Sequence, residues 1–266
     1  MAANGSITTD TKNGHTLEFR ENPYHVYKLD GLKIPGGTDI KKAYPPSRQL
    51  IRYYIKQGLE EFDHGFRLKK QADVGTAMHD YCYALRMDKP FDKNEFIGHP
   101  DQEKIFKRFT EVEKWVPTLT DEKIISAEQI VASVCEYHKL HPGVEYSECL
   151  CFAGKFDVLV EVNGKVRLQD YKSAKGFFED QFIQQGGYAV AIEKWIGRKV
   201  DELETIRFND NTNEPARFCI DDPKEVQEFK DEFLVLRQSR RFQKKWEKFF
   251  SEKYEAENPW IKKGKK

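Results

Sequence analysis

The sequence predicts an α/β protein in which a mixed β-sheet is flanked by helices. Apolar and polar residues alternate on both sides of the pair Asn163-Gly164, and an Asn-Gly pair in this setting is typical of a two-residue β-hairpin. Stretches with apolar residues at helical intervals lie before and after this hairpin. With 266 residues, 39% of them hydrophobic and 13% aromatic, the chain can fill one large domain or two small ones, and we expect one.

The N-terminal part of the chain carries weaker signals. Residues 1 to 22 are polar, and we expect them to be partly disordered. The segment from Tyr24 to Gly37 is rich in turn residues and predicts a short hairpin or an extended arm. Ser47 follows two prolines and suits a helix start, and the apolar spacing predicts a helix as far as Phe62. The basic residues between Arg48 and Lys70 either form a solvated face or hold phosphates.

Helices and strands alternate through the rest of the chain. Apolar stripes predict helices from Val74 to Arg86, from Asp101 to Trp115, from Asp180 to Ile196 and from Asp222 to about Glu255. Alternation predicts one strand from Lys123 to Tyr137 and two more from Glu204 to Phe208 and from Ala216 to Ile220. We expect residues 23–256 to form a single domain with a core of residues 70–220, followed by a basic tail of residues 257–266.

The hairpin turn also decides which residues face each other. A two-residue loop at Asn163-Gly164 places Asp157 directly opposite Asp170. Opposed positions have Cβ atoms about 5 Å apart, and two like charges there are destabilising. Lys172 projects from the same face as Asp170, whereas Tyr171 points away.

Two opposed carboxylates suit a hard divalent cation such as Mg²⁺ or Mn²⁺, which would remove their repulsion. The ammonium group of Lys172 could then orient a water molecule at the ion or help to deprotonate it. The structural alternative is a solvent-facing strand whose charges line up by chance.

Three short motifs carry a family resemblance. Gly154-Lys155-Phe156-Asp157, Asp170-Tyr171-Lys172 and the segment from Gln184 to Tyr188 follow one another, with Gly75-Thr76-Ala77-Met78-His79 upstream. In this order and spacing they resemble the GxxD, (D/E)xK and QxxxY motifs of RecB-like nucleases in the PD-(D/E)xK superfamily. The resemblance covers residues 70 to 195. It implies a restriction-endonuclease-like core with a mixed sheet flanked by helices, and hydrolysis of DNA phosphodiester bonds with Mg²⁺ or Mn²⁺.

The resemblance implies further groups around the ion. It adds the carbonyl of Tyr171 and the imidazole of His79 to Asp157 and Asp170 as ligands, and it places Glu128 beside them. Without the resemblance, a lone helical histidine such as His79 is more often a structural group. Glu128 is then an exposed strand residue without a role in the site.

Substrate contacts are expected at two further places. In the family, Gln184 and Tyr188 orient the substrate or hold the lysine, and ordinary core packing of Tyr188 is the alternative. On the long C-terminal helix, Arg240, Arg241 and Lys244 belong to a dense basic run from Arg237 to Lys248. This run either contacts DNA or forms a solvated face.

Two adjacent glycines interrupt the helix predicted from Asp180 to Ile196. Gly186 and Gly187 together lower its helix propensity by about 2 kcal/mol relative to alanines. Such a cost suggests that another backbone or a DNA strand passes close to this helix.

The resemblance favours an exonuclease that processes DNA ends for recombination, repair or replication. Some relatives of this kind are encoded by phages, and a single-strand annealing or binding protein is the protein partner that such a role implies. An endonuclease with the same site is the first alternative. A nucleic-acid-binding subunit without catalysis is the second, and intact Asp157, Asp170 and Lys172 argue against it. A metal-binding module without a nucleic-acid role is the third.

Charge and cysteine content bound the setting of the protein. The 44 basic and 44 acidic residues cancel, so a nucleic-acid surface must come from local clustering. The five cysteines lack CxxC spacing, which indicates neither a disulfide framework nor a zinc ribbon and fits a reducing compartment. Relatives with an iron–sulfur cluster have three cysteines after the core, and only Cys219 follows it here, so we expect no cluster. No stretch is typical of a signal peptide or a membrane span. We expect a cytoplasmic protein, in the host cytoplasm if it is phage-encoded.

Overall fold

The computed structural model describes residues 7–21, 25–45, 64–141, 143, 149–173, 176–208 and 215–257, and the side chains of all of these except residues 64–73 and 254–257. The strands are β1 (Ile7–Lys12), β2 (His15–Arg20), β3 (Val26–Leu29), β4 (Leu32–Ile34), β5 (Lys123–Ala127), β6 (Ile130–Ser133), β7 (Phe152–Lys155), β8 (Val158–Val162), β9 (Lys165–Lys172), β10 (Glu202–Arg207) and β11 (Ala216–Ile220). The helices are α1 (Gly37–Lys41), α2 (His64–Arg86), α3 (Gln102–Trp115), α4 (Glu136–Leu140), α5 (Glu179–Trp195) and α6 (Pro223–Glu257).

Five of the described strands form a central mixed sheet in the order β11-β10-β9-β8-β5. β9 and β10 run parallel, and the other neighbouring pairs are antiparallel. Helices α2 and α3 pack on one face of this sheet through buried residues such as Met78 and Phe109. Helices α5 and α6 cover the other face, through residues such as Ile192 and Phe233. The predicted class, an α/β fold with a mixed sheet flanked by helices, is confirmed.

The central hairpin has the register that its turn predicts. Val158 pairs with Gln169 and Val162 with Lys165 across β8 and β9. Asn163 and Gly164 have φ values of 53° and 77°, the left-handed conformations that a tight two-residue hairpin turn requires. The positions that continue this pairing by one residue are those of Asp157 and Asp170.

The strand predicted from Lys123 to Tyr137 is wrong as a single strand, because the chain bends at Glu128. β5 ends just before this residue and pairs with β8, whereas β6 begins just after it and pairs with β7. Glu128 has a φ of 51°, which is rare for a residue with a side chain. Its backbone N–H donates to the carbonyl of Asp157 over 2.7 Å, so both strands of the pair bend at the same level.

Residues 7 to 20 form two strands, although the polar N-terminus was expected to be partly disordered. β1 to β4 make an antiparallel sheet, and its second hairpin, β3–β4, confirms the hairpin predicted before Gly37. Leu17 and Phe19 of β2 are buried in the core beneath this sheet. The alternation of β2 contains only these two buried apolar side chains, which made the strand hard to recognise among polar neighbours.

Most helices match their predicted bounds within a few residues, but α2 begins at His64 rather than at Val74. The helix predicted from Ser47 to Phe62 lies outside the described residues. None of the described helices combines the length and the apolarity needed to cross a bilayer.

The two glycines of α5 are explained by the helix that packs on them. A Cβ atom on Gly186 would lie 2.4 Å from the carbonyl oxygen of Phe229, and one on Gly187 would lie 2.5 Å from the ring of Phe233. Both contacts belong to α6. The segment that passes close to these glycines is therefore this helix of the same chain, and the glycines give no indication of a DNA strand.

Candidate metal centre

Asp157 lies at the bend between β7 and β8, with a carboxylate on each side. Ala127 pairs with Val158 and Ile130 with Lys155, so Glu128 is opposite Asp157 on one side. The register of β8 and β9 places Asp170 opposite Asp157 on the other side. The bend therefore brings three acidic residues from three neighbouring strands into one row.

Two contacts hold the side chain of Asp157 in place. Its Oδ2 atom accepts a hydrogen bond from the backbone N–H of Tyr171 over 2.7 Å. The same oxygen lies 3.3 Å from Nδ1 of His79, which α2 carries to the edge of the sheet. The ring of His79 packs edge-on against the ring of Tyr171, with centroids 5.8 Å apart. Of the predicted site residues, His79, Glu128 and Asp157 offer atoms that all lie within 4.8 Å of one another, and the predicted ligand Asp170 is not part of this group.

Buried Asp170 forms an ion pair with half-buried Lys172 on β9. Nζ of Lys172 lies 2.5 Å from Oδ2 of Asp170. Burial is the largest effect on this carboxyl and raises the pKa of Asp170, and the charge of Asp157 adds to the rise, while Lys172 opposes it. Burial lowers the pKa of Lys172, but Asp170 and Asp157 outweigh burial, so the pKa of the ammonium is raised. Lys172 therefore stays charged beside the carboxylates.

Asp157 and His79 each favour the charged form of the other group. Burial alone would raise the pKa of Asp157, but the charge and hydrogen bond of His79 outweigh it and hold the pKa below its ordinary value. Burial alone would lower the pKa of His79, and Asp157 reverses this effect as well. The pair favours an ionised Asp157, which is the form that binds cations.

The sequence reasoning assigned no role to Lys155, which neutralises Glu128. Nζ of Lys155 lies 2.6 Å from Oε2 of Glu128 and 3.7 Å from Oε1 of Glu21. Burial raises the pKa of Glu128, the charge of Asp157 raises it further, and Lys155 only partly compensates. Lys155 is part of the Gly154-to-Asp157 motif, and its place opposite Ile130 beside the bend becomes visible only once the bend is known.

Gln184 and Tyr188 lie next to the carboxylates on one face of α5. Nε2 of Gln184 donates to the hydroxyl oxygen of Tyr188 over 2.8 Å and to Oγ1 of Thr38 over 3.1 Å. The Tyr188 ring covers Gly154, where an added Cβ would lie 2.4 Å from the ring. Burial raises the pKa of Tyr188, and the charges of Asp170 and Asp157 add to the rise. The motif glycine therefore makes room for the motif tyrosine.

Tyr171 presents its backbone and its side chain to different partners. Its side chain points to the opposite face, as predicted, where its hydroxyl accepts a hydrogen bond from Arg86 over 2.7 Å. Arg86 also pairs with buried Glu122 at 2.7 Å. These contacts hold β9 in place on the face of the sheet that α2 and α3 cover. A metal contact by the Tyr171 carbonyl stays a prediction.

The basic residues of α6 have several partners within the protein. Arg240 lies 3.0 Å from Oδ1 of Asp39, and Lys244 lies 2.8 Å from Oε2 of Glu247. The guanidinium of Arg241 lies 5.6 Å from the centre of the Phe242 ring. The side chains of the predicted basic surface from Arg48 to Lys70 lie outside the part of the chain whose side chains are described.

No protein-family model matches this chain, and no curated protein matches it. Among solved structures it is similar to an alkaline exonuclease, LHK-Exo, from Laribacter hongkongensis, with a TM-score of 0.31 and 12% identity over 83% of this chain and 94% of that one. It is also similar to the crystal structure of SSO0001, with a TM-score of 0.27 and 11% identity over 60% of this chain and 84% of that one. Likenesses at this level carry no argument about activity.

Proposed function

We propose that the protein is a metal-dependent nuclease that hydrolyses phosphodiester bonds of DNA. The observation that carries the proposal is the row of Glu128, Asp157 and Asp170 at a bend of the sheet, with Lys172 beside it. A hairpin with a purely structural role gains nothing from opposed, largely desolvated carboxylates, because their repulsion and desolvation both destabilise the fold. The motif resemblance described above supports the same conclusion independently of the geometry.

The donor set fits Mg²⁺ or Mn²⁺. Asp157 and Asp170 would hold the ion with the carbonyl of Tyr171 and the imidazole of His79, and Glu128 would lie beside them. Carboxylate and carbonyl oxygens suit either ion, and an imidazole is more readily accepted by Mn²⁺. When bound, such an ion polarises the scissile phosphate and lowers the pKa of a water molecule.

The side chains of the protein supply positioning and charge. The ammonium of Lys172 holds the attacking water in line with the bond to be broken and offsets the negative charge that develops on the phosphate. The Tyr171 N–H keeps the carboxylate of Asp157 in a fixed orientation. Gln184 and Tyr188 orient the substrate or limit the movement of Lys172. In the reaction a water oxygen forms a bond to phosphorus, and the bond from phosphorus to the leaving sugar oxygen breaks.

We propose exonucleolytic action on DNA ends in recombination, repair or replication, with a single-strand annealing or binding protein as the partner that such work requires. Endonucleolytic cleavage uses the same groups and is the first alternative. A catalytically silent nucleic-acid-binding subunit is the other, and the presence of both aspartates together with Lys172 argues against it.

Purified protein incubated with labelled linear DNA and Mg²⁺, Mn²⁺ or EDTA tests the proposal. We expect cleavage with either metal and none in EDTA. Asp157→Asn and Asp170→Asn are expected to abolish cleavage, while Glu161→Gln, a carboxylate change on the same hairpin, keeps it. Full activity of either aspartate variant would contradict the proposed site, and cleavage in EDTA would contradict the metal.

Metal binding can be measured without activity. A ligand that binds only the folded protein raises the free energy of unfolding by about 2.7 kcal/mol at a concentration of 100 times its Kd. We expect Mn²⁺ to raise the free energy of unfolding of the unsubstituted protein and of Glu161→Gln, and to leave that of Asp170→Asn unchanged. Equal stabilisation of all three proteins would place the ion elsewhere.

A further inference from the structure

Cys135 meets the close pair Cys149 and Cys151 near the start of β7, at the other end of this strand from the bend. Among the described residues, the Sγ atoms of Cys135, Cys149 and Cys151 lie within 4.8 Å of one another. All three are free thiols, and Cys149 and Cys151 are buried. Cys135 precedes α4, and the other two lie in the extended segment that leads into β7.

Several weak hydrogen bonds to sulfur hold these residues in their present arrangement. The backbone N–H of Cys135 donates to Sγ of Cys151 over 3.2 Å, and the N–H of Leu150 donates to Sγ of Cys135 over 3.4 Å. Backbone N–H groups that point at sulfur stabilise a thiolate more than a thiol. The local backbone thus directs N–H groups at two of the three sulfur atoms.

His138 follows Cys135 by three residues and carries a buried donor atom of its own. It lies on α4 and is 2% exposed. Its Nδ1 atom is buried and has no hydrogen-bond partner among the described residues. An unpaired ring nitrogen in such a place destabilises the fold, and a metal ion would satisfy it.

The other nitrogen of His138 already has the partner that a metal-bound histidine needs. Nε2 lies 3.5 Å from Oδ2 of Asp30, and Asp30 itself is held by His15 at 2.7 Å and by the N–H of Thr16 at 2.8 Å. A carboxylate at one ring nitrogen places the proton there and leaves the other nitrogen as a lone-pair donor. The outer partner thus fixes Nδ1 as the ligand atom.

A buried cation compensates the charge of the cluster. Arg237 of α6 has no exposed surface, and its guanidinium donates to the carbonyls of Cys149 and Cys151 over 2.7 and 3.1 Å. Three thiolates and one divalent ion carry a net negative charge, which a guanidinium at this distance stabilises in a low-dielectric interior.

We propose that Cys135, Cys149, Cys151 and Nδ1 of His138 bind a structural Zn²⁺ ion. Three thiolates with one imidazole form a closed tetrahedral donor set, which zinc prefers and which leaves no position for a substrate. The spacing is Cys135-x2-His138-x10-Cys149-x-Cys151. A search for CxxC pairs misses this pattern, because the close pair is Cys149 and Cys151 and the other two ligands lie on α4 and just before it.

The ion would link segments that are distant in the sequence and that contact each other in the fold. α4 and the segment before β7 would share its ligands, α6 would contact them through Arg237, and the N-terminal sheet would contact them through Asp30. β7 contains Gly154 and is followed by Asp157, so the zinc site would stabilise the strand that carries the proposed nuclease motif. The zinc proposal does not depend on nuclease activity.

The experiment also has to distinguish zinc binding by the cysteines from a disulfide and from an ion held by other residues. Sγ of Cys135 and Sγ of Cys151 lie 3.5 Å apart, so a small movement would allow a disulfide. His15, Asp30 and His138 also offer atoms within 4.8 Å of one another and could hold an ion without any cysteine.

The test uses the full chain, purified without chelators from zinc-supplemented cells and freed of any histidine tag. We expect one equivalent of zinc per chain by elemental analysis and no iron. Cys149→Ser and Cys151→Ser are expected to lose the zinc, whereas Cys219→Ser, a cysteine outside the cluster, keeps all of it. His15→Ala is expected to keep it too.

Cobalt substitution of the unsubstituted protein supplies a second readout that needs no variant to fold. Tetrahedral Co²⁺ with three thiolates gives intense visible bands and a thiolate-to-cobalt charge-transfer band. We expect these bands, together with protection of three thiols from alkylation in the zinc form. Metal-free protein with a Cys135–Cys151 disulfide in mass spectra overturns the proposal. So does iron in place of zinc, or zinc that His15→Ala removes and Cys149→Ser does not.

Discussion

Each of the three carboxylates at the bend has its own basic side chain within ion-pair distance. His79 lies 3.3 Å from Asp157, Lys155 lies 2.6 Å from Glu128, and Lys172 lies 2.5 Å from Asp170. These pairs neutralise the row of acids and allow the metal-free protein to fold in spite of the opposed charges. A divalent ion at Asp157 and Asp170 would take over this neutralisation, and the ammonium of Lys172 would then be available to the substrate.

Lys172 is therefore expected to act on turnover rather than on affinity. Lys172→Ala should lower kcat by roughly 10²–10³-fold, the usual cost of removing one charge-stabilising group from an active site. DNA affinity should change little, because one ammonium adds little to a footprint of many phosphates. Single-turnover rates and filter binding measure the two effects separately.

Lys165→Ala is the matched control for this prediction, since Lys165 lies at the other end of β9 and is half exposed. It should keep both rate and affinity. Equal losses of rate and affinity in Lys172→Ala would instead mark Lys172 as a phosphate contact.

Gly154 of the GxxD-like motif packs against Tyr188 of the QxxxY-like motif. Because a Cβ here would lie 2.4 Å from the Tyr188 ring, Gly154→Ala must displace that ring and is expected to destabilise the protein by about 2 kcal/mol, as overpacked cores do. Denaturant unfolding measures this change. Gly75→Ala, where the nearest atom is Oγ of Ser173 at 3.3 Å, should have a much smaller effect.

A double variant shows whether Tyr188 is the cause. In Gly154→Ala combined with Tyr188→Leu, the cost of the alanine should largely disappear, because the ring that clashes is gone. A fully additive double variant would mean that the alanine acts through the backbone of the bend.

At the scale of elements, short sequence patterns predicted the hairpin register and the ends of several helices. The Asn163-Gly164 turn requires left-handed φ values that few other residue pairs adopt, so the register of the hairpin and the pairing of Asp157 with Asp170 followed from two residues. The ends of α3, α5 and α6 followed from apolar stripes and their flanking residues. The placement of Asp170 and Lys172 on one face of β9 followed from strand period.

The features that the sequence did not predict depend on contacts between distant segments. Glu128 has a positive φ because its strand and the strand of Asp157 bend together, and no short pattern marks this. Arg237 belonged to a basic run that was expected on the surface. It is buried because two carbonyls near Cys149 accept its hydrogen bonds. The nearness of Cys135 to Cys151 likewise arises from the pairing of β6 with β7.

The junction of β9 and β10 depends on a buried carboxylate whose contribution should vary with pH. Glu202 accepts hydrogen bonds from Lys165 and Arg167 over 2.8 and 2.7 Å. Burial raises the pKa of Glu202, but these two cations outweigh burial and lower the pKa below its ordinary value of 4.5. The stabilisation by ionised Glu202 is therefore complete above that ordinary value and is lost as the pH falls through the lowered one.

Glu202→Gln is expected to cost about 1–3 kcal/mol of unfolding free energy at neutral pH, the range for a lost charged hydrogen bond. The difference from the unsubstituted protein should be constant above the ordinary pKa and should shrink in more acidic solution. Urea unfolding at a series of pH values measures it. If the difference in unfolding free energy instead grew as the pH fell, the protonated form of Glu202 would be the one that stabilises the fold.

At the scale of the whole molecule, no net charge attracts DNA, so binding must use a local surface. α6 offers such a surface where Arg241, Lys244 and Lys245 alternate with the exposed aromatics Phe242 and Trp246. Cations hold phosphates and aromatic rings stack on bases, and the two together are typical of single-strand contacts.

Reversing charge on this surface should weaken DNA binding and flatten its dependence on salt. Arg241→Glu with Lys244→Glu is the suitable pair, because Arg240 also holds Asp39 of α1 and its loss would disturb the fold. Lys224→Glu, on an exposed position at the start of the same helix, serves as the control. Titrations at several salt concentrations measure both effects. Unchanged binding in the double variant would leave this part of α6 as an ordinary solvated face.

The form of the DNA decides between the two nuclease proposals. An exonuclease must engage a strand end before the carboxylates at the bend can reach a phosphate, so covalently closed circles should survive while linear DNA of the same sequence is degraded to short products. Circles cut once by a restriction enzyme are the matched substrate, because they differ only in having ends. Agarose gels with Mn²⁺, with Asp170→Asn as the inactive control, separate the outcomes. Rapid nicking of closed circles that disappears in Asp170→Asn would refute the exonuclease and leave an endonuclease with the same metal chemistry.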